Sequence, residues 1–218
     1  GGGLYGGLAG FLRSRFQINE VLTTVMLNYV IIFFMSFMLV SGPWRDPSSH
    51  FAQTPRIDKS VWLPKIMDGS KLHIGFLIAV VCAIAVYVML TRSSFGYEIR
   101  AVGHNPRASK FKGINVGKTA ILAMCISGGL AGLAGVTEVF GVAYRLKGEI
   151  SHGYGFTGII VAVLAVLNPL AVIFVAVFFG AFAVGGVVMQ VATGVPSVIT
   201  SAIEAIILLF FLAAGTLT

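Results

Sequence analysis

From Ile150 to Thr218 the chain carries one formally charged side chain, Glu204. A soluble domain needs far more charge to cover its outside, so this stretch is built to face something other than water. The rest of the sequence agrees. Of 218 residues, 57% are hydrophobic, 11% are charged and 27 are Gly, a mixture of apolar surface and small packing residues typical of transmembrane helices. The expected fold class is an all-α membrane protein, a polytopic transmembrane helix bundle of about five to six segments. The net charge of +7 invites a nucleic-acid reading. The basic residues, however, sit in short connectors between apolar spans, as membrane topology requires, so no nucleic-acid partner is expected.

The spans follow from length. Crossing a bilayer takes about 20 apolar residues, and such runs extend from about Val21 to Val40, Leu72 to Leu90 and Thr119 to Phe140. Gly155 to Gln190 is apolar throughout and too long for one crossing, and Asn168-Pro169 divides it. Proline lacks an amide hydrogen and biases the preceding residue away from helix, so segments at about 156–167 and 170–192 are expected. The first of these is short for a full crossing and reads as a partial or re-entrant helix. A last span covers about Val198 to Ala214, entered through the turn signal Gly194-Val195-Pro196.

Sidedness follows from charge. The 92–118 connector holds Arg92, Arg100, Arg107, Lys110, Lys112 and Lys118 against a single acid, Glu98, which assigns it to the cytoplasm. Alternation then places Arg13 and Arg15 inside and the 41–71 connector outside. That outer loop has a weaker bias, with Asp46, Asp58 and Asp68 among its five basic residues. Trp44 and Trp62 within it read as interface anchors. Gly128, Gly132 and Gly135 form a small-xxx-small pattern in the third span, and Gly180, Gly185 and Gly186 repeat the theme further on. Small residues let helix backbones approach closely, so these positions are expected to pack helix on helix.

The most specific local signal is the basic stretch from Gly103 to Thr119. Asn105 is a good N-cap, Pro106 fits the first helical position, Arg107 to Lys112 continue the helix, and Gly113 is a natural stop. A helix of about two turns between two spans is expected. By composition alone it reads as a basic interfacial helix anchoring the loop to anionic lipid. Gly113 to Thr119 imitates a phosphate-binding loop, but three residues separate its glycines where the motif needs four, and it opens an apolar span rather than an α/β helix. ATP binding by this chain is not expected.

The pattern of Gly103, Asn105, Ala108, Ser109, Gly113, Ile114, Asn115 and Val116 resembles the cytoplasmic coupling loop of ABC importer permeases of the simple-sugar, nucleoside and branched-chain amino-acid group. Asn19 to Tyr29 resembles the opening of a central helix in the nucleoside-type permeases. Gly128 to Gly135 resembles the Gly/Ala-rich helix that follows the coupling loop. Val166-Leu167-Asn168-Pro169-Leu170 departs from the Gly-rich loop of many sugar-type members, which weighs against a sugar. The resemblance implies one transmembrane permease domain over 1–218, the C-terminal portion of a larger permease whose missing helices precede Gly1. It implies that Gly103, His104, Asn105, Pro106, Arg107, Ala108, Ser109, Lys110, Gly113 and Ile114 couple the chain to an ATPase. The implied partners are ABC ATP-binding subunits, a second permease subunit, an extracytoplasmic solute-binding protein and membrane lipid. The implied location is the plasma membrane of a bacterium or archaeon.

Polar residues inside spans are costly and usually face a bundle interior or cavity. Asn28 and Glu204 are therefore candidates for lining a substrate pathway, with helix-to-helix hydrogen bonding as the competing role. Glu138 and Gln190 lie near span ends, within reach of interfacial water, and Glu20 reads as a helix-start carboxylate. Cys82 and Cys125 are far apart inside apolar spans, and His50, His73, His104 and His152 lack metal-ligand spacing. No catalytic constellation, metal site or cofactor is expected in this chain. The leading function is inward transport of a small polar solute by alternating access, driven by partner ATPases, with nucleosides favoured and simple sugars and branched-chain amino acids open. An ion-coupled secondary transporter, which would account for the broken helix at Asn168-Pro169, and a purely structural subunit are the alternatives.

Overall fold

The computed structural model describes every residue except Gln17, 67–71, Glu149, His152, Ser197 and 217–218. Asp68 and His152, which enter the charge and metal arguments, lie outside the described residues, as does the side chain of Glu20. The elements are α1 (Gly2–Phe16), α2 (Glu20–Val40), α3 (Gly75–Arg92), α4 (Ser94–His104), α5 (Pro106–Phe111), α6 (Val116–Glu138), α7 (Tyr154–Leu164), α8 (Pro169–Thr193) and α9 (Val198–Thr216). The expected all-α membrane bundle is what forms. By length and composition α2, α3, α8 and α6 with its continuation to Ala143 are long and apolar enough to cross a membrane. α7 has 11 residues, about 16 Å of helix against a hydrocarbon core of about 30 Å.

The chain divides into two compact units, Gly1–His152 and Gly153–Thr218. In the first, α1 runs antiparallel to α6 with their backbones in close contact. A Cβ added at Gly6 would lie 3.1 Å from the Gly128 Cα, and one at Gly10 would lie 3.0 Å from the Ile121 Cα. This is small-residue packing of the expected kind, but its participants differ from the expectation. Gly128 and Gly132 meet Gly2 of α1, whereas a Cβ at Gly135 would meet nothing within 4 Å. α1 itself was not anticipated as a helix. Its Tyr5 hydroxyl donates to the Leu27 carbonyl at 2.6 Å, tying α2 to the same pair.

At its far end α6 widens into a π-turn, Val139–Ala143, closed by Tyr144 in the left-handed region at φ 55°. The connector between α2 and α3 packs against this turn. The His73 ring packs directly against Gly141, where any side chain would collide with it, and its Nε2 lies 3.0 Å from the Thr137 carbonyl oxygen. The connector is then bonded along the chain that leaves α6. Leu63 N–H donates to Phe140, Ile57 to Tyr144 and Thr54 to Leu146, all at 3.0 to 3.1 Å. Trp62 stacks on Tyr144 with ring centres 4.0 Å apart, and the Arg56 guanidinium sits 4.8 Å over the Trp62 ring. Trp62 thus closes the loop onto α6, a role more specific than interface anchoring. Trp44 meets the Phe34 ring of α2 edge-on at 6.4 Å.

In the second unit the helix break falls earlier than the Asn168-Pro169 expectation. α7 ends at Leu164, and Val166 and Leu167 both take left-handed backbone, at φ 52° and 56°. The amide of Val166 donates to Val163 and that of Leu167 to Ala162, the paired bonds that close a helix end when the residue after the cap is left-handed. Asn168 then accepts the Leu170 amide on its side chain at 3.0 Å and starts α8, with Pro169 in the first turn. Of the three glycines expected to pack α8, Gly186 lies against Thr200 of α9, while Gly180 and Gly185 face open space within the chain.

Candidate functional site

The 92–118 connector folds into two helices, where one was expected. Ser93 begins α4 by accepting the Gly96 amide on its hydroxyl oxygen at 3.0 Å. Gly96 makes the tight α3–α4 corner possible, because a Cβ there would run into the Met89 carbonyl and the Leu90 backbone. Pro106 ends α4 and starts α5 together. It disfavours helical backbone at its predecessor, and Asn105 is extended at φ −155° and ψ 98°. In that conformation the Asn105 side-chain oxygen accepts the Ala108 amide at 3.0 Å, the bond an N-cap makes.

α5 ends as its sequence predicts. Gly113 has φ +81°, its amide donates to Lys110, and that of Ile114 donates to Ser109, both at 3.1 Å. These two bonds with a left-handed glycine between them form a Schellman motif. Ile114, the residue after the left-handed glycine, is half-buried.

The two closures decide which side chains face outward. Ser109 is buried, 2% exposed, with its hydroxyl donating to the Asn105 carbonyl at 2.9 Å. Gly103, His104, Asn105, Pro106, Arg107, Ala108, Lys110 and Gly113 are exposed. Phe111 is 93% exposed. The sequence reading passed over it, and its signal was an aromatic ring in a helix otherwise made of small and basic residues. The base of the site is fastened by Thr119, buried on α6, whose hydroxyl donates to the Glu98 carboxylate of α4 at 3.2 Å. That pair was also missed, because nothing local joins positions 21 apart.

The two connectors lie at opposite ends of α6, whose 23 residues span about 34 Å. Ser14 of α1 approaches Gly117, so Arg13 and Arg15 share the end that bears α4 and α5. At the other end Arg56, Arg145 and Lys147 line a cavity of about 840 Å³. Nearby, the Ser48 hydroxyl and amide donate to Asp46 at 2.6 and 2.9 Å. These bonds hold its carboxyl below the usual range.

The structure places the two pathway candidates differently. Asn28 is exposed on α2 and makes no side-chain hydrogen bond among the described residues. Glu204 is buried on α9, one turn from buried Thr200. Residues four apart share a helix face, so Glu204 lies on the face of α9 that meets α8 at Gly186. The two belong to different units of the chain.

Residues 1–212 match the family model described as branched-chain amino acid transport system / permease component. This chain belongs to that family. Within it, the chain is 35% identical over 213 residues to the guanosine ABC transporter permease protein NupP of Bacillus subtilis, covering 96% of this chain and 61% of that protein. It is 34% identical to the nucleoside ABC transporter permease protein NupB of Lactococcus lactis, covering 96% and 59%. It is 29% identical to the glucose ABC transporter permease protein TsgB13 of Haloferax volcanii, covering 97% and 58%. The chain therefore spans about three fifths of the length of these permease relatives. No solved structure matches it significantly.

Proposed function

We propose that this chain is part of the membrane-spanning permease subunit of an ABC importer, and that it moves nucleosides inward by alternating access. The observation that carries the proposal is α5, a capped and stopped helix whose Arg107, Ala108 and Phe111 face outward from the end of the bundle. Such a helix can seat in a groove of an ATP-binding subunit and pass its displacement through α4 and the Glu98–Thr119 bond to the long helix α6. Similarity to guanosine and nucleoside permease proteins across nearly the whole chain favours nucleosides. The glucose permease relative is the basis for simple sugars as second choice.

In this reading ATP is bound and hydrolysed by partner subunits, and the chain itself performs no catalysis. The 92–118 connector is cytoplasmic. The connector carrying Trp62 and His73 faces outward, where a solute-binding protein delivers the solute, and a second permease subunit completes the pathway. The protein lies in the cell membrane of a bacterium or archaeon.

The test is uptake of labelled guanosine, glucose and leucine by cells expressing the full-length protein, with and without its ATPase partner and with and without a protonophore. Guanosine uptake that requires the ATPase and survives the protonophore is expected. Uptake abolished by the protonophore and indifferent to the ATPase would replace the importer with an ion-coupled transporter.

A further inference from the structure

The end of the bundle that bears α5 also contains a cavity of about 1020 Å³, bounded by the end of α1, by α4, by α5 and by the start of α6. Its rim carries the cations Arg13, Arg107 and Lys110 together with the polar residues Ser14 and Asn115. Among the described residues no carboxylate lines it, and Glu98, the one acid of this connector, accepts the hydroxyl of Thr119. Its wall is apolar. On α6 the lining runs from Val116 through Ala120 and Ala123 to Met124, about 12 Å along the helix from its polar end into the span.

A charged rim over an apolar shaft fits an amphiphile. A free phosphate would engage the rim and leave the shaft empty, whereas a zwitterionic headgroup would bring a cation against those of the rim. Basic pockets between membrane helices recognise anionic headgroups. We infer that this cavity holds one anionic phospholipid, with its phosphate at Arg107 and Lys110 and its upper acyl chains along Ala120 to Met124. Arg107 and Lys110 are shared with the exposed surface of α5, whereas Ala108 and Phe111 do not line the cavity, so a failure of ATPase docking and a failure of lipid binding are read at different residues. A lipid so placed would brace α5 against α6 from the membrane side.

The experiment extracts the full-length protein in mild detergent and follows its thermal unfolding as phosphatidylglycerol, phosphatidylcholine or inorganic phosphate is added. Native mass spectrometry counts the lipid retained. Phosphatidylglycerol is expected to raise Tm saturably with one molecule held per cavity, while phosphatidylcholine and phosphate leave Tm unchanged. Arg107→Gln with Lys110→Gln should weaken the apparent affinity about 25-fold, at about fivefold per charge. Arg92→Gln with Lys112→Gln removes the same charge outside the cavity and should change it less than about twofold, since screening limits charges that make no direct contact. Ala123→Phe fills the shaft, keeps every charge and should abolish the saturable shift. Equal losses from the two charge pairs, or an Ala123→Phe protein that binds normally, would reduce the effect to surface electrostatics and overturn the site. A shift reproduced by phosphate alone would make the ligand a soluble anion, and one reproduced by phosphatidylcholine would remove the headgroup selectivity. Either result overturns the inference.

Discussion

The Asn105 side-chain oxygen accepts the Ala108 amide at 3.0 Å, and that bond sets which face α5 shows to water. It holds the first turn so that Ser109 points inward, 2% exposed, while Arg107 and Ala108 point out. A labelling experiment on this loop must therefore avoid Ser109. Cysteine placed at Lys112 or at Ser48, in a protein lacking Cys82 and Cys125, samples the exposed surface of each connector. An impermeant maleimide applied to intact cells is expected to label the Ser48 position and spare the Lys112 position, and the reverse pattern would invert the topology.

The glycines of α6 are predicted to respond with opposite signs. Gly128→Ala puts a methyl against the Gly2 carbonyl and the Gly6 Cα, and overpacking of this kind costs about 1 to 3 kcal/mol. At Gly135 the added methyl meets nothing within 4 Å, so Gly135→Ala should gain up to about 1 kcal/mol of helix propensity. Thermal unfolding of the two purified variants in one detergent checks the contrast. Equal destabilisation would show that α1 is not the partner that sets it.

Gly113 and Val166 occupy the same place in the same helix-ending motif, both left-handed, at φ +81° and 52°. Only one of them is glycine. A β-branched residue in this region is strained by about 1 to 2 kcal/mol, and glycine gives back about 0.5 to 1 of that in lost backbone freedom. Val166 is 77% exposed, so little buried surface is lost on truncation. Val166→Gly is therefore expected to stabilise by about 0.5 to 1 kcal/mol, read as a raised Tm. A lowered Tm would mean that the valine side chain makes a contact outside this chain.

These cases show where the sequence was legible. The Asn105-to-Gly113 helix could be read because its signals are local: a cap, a proline at the first position and a glycine at the stop. The four membrane-length helices found among the described residues follow from uninterrupted apolar runs. α1 escaped because Gly2, Gly6 and Gly10 lower helix propensity when read alone, and their spacing of four gains meaning only when Gly128 and Ile121 lie opposite. The π-turn escaped notice because its partner there is the His73 ring against Gly141, a contact between residues 68 apart. No turn rule places a valine in left-handed backbone, so the end of α7 fell five residues before the proline that was expected to cause it.

Asn28 tests the pathway. It is exposed on α2 without a side-chain hydrogen bond among the described residues, so Asn28→Leu should leave folding and assembly intact while lowering solute uptake at least tenfold. That loss corresponds to about 1.4 kcal/mol, within the range for one hydrogen bond to a polar solute. Unchanged uptake would leave Asn28 no role in the pathway, and loss of the assembled protein would make it a packing residue.

The central claim is that α5 docks into an ATP-binding subunit, and Ala108→Glu tests it most directly. Alanine and glutamate are both good helix formers, and the side chain at 108 points outward, so the bundle itself should be unaffected. A bulky, unpaired negative charge would be forced into the contact. The measurement is co-purification of the ATPase with the full-length variant, together with ATP-driven guanosine uptake after reconstitution into vesicles. The account predicts normal folding with loss of ATPase association or of uptake, at a cost of about 2 to 5 kcal/mol for a charge buried unpaired at an interface. Full association and full ATP-driven uptake in Ala108→Glu would contradict it, leaving α5 as a helix that meets only lipid and water.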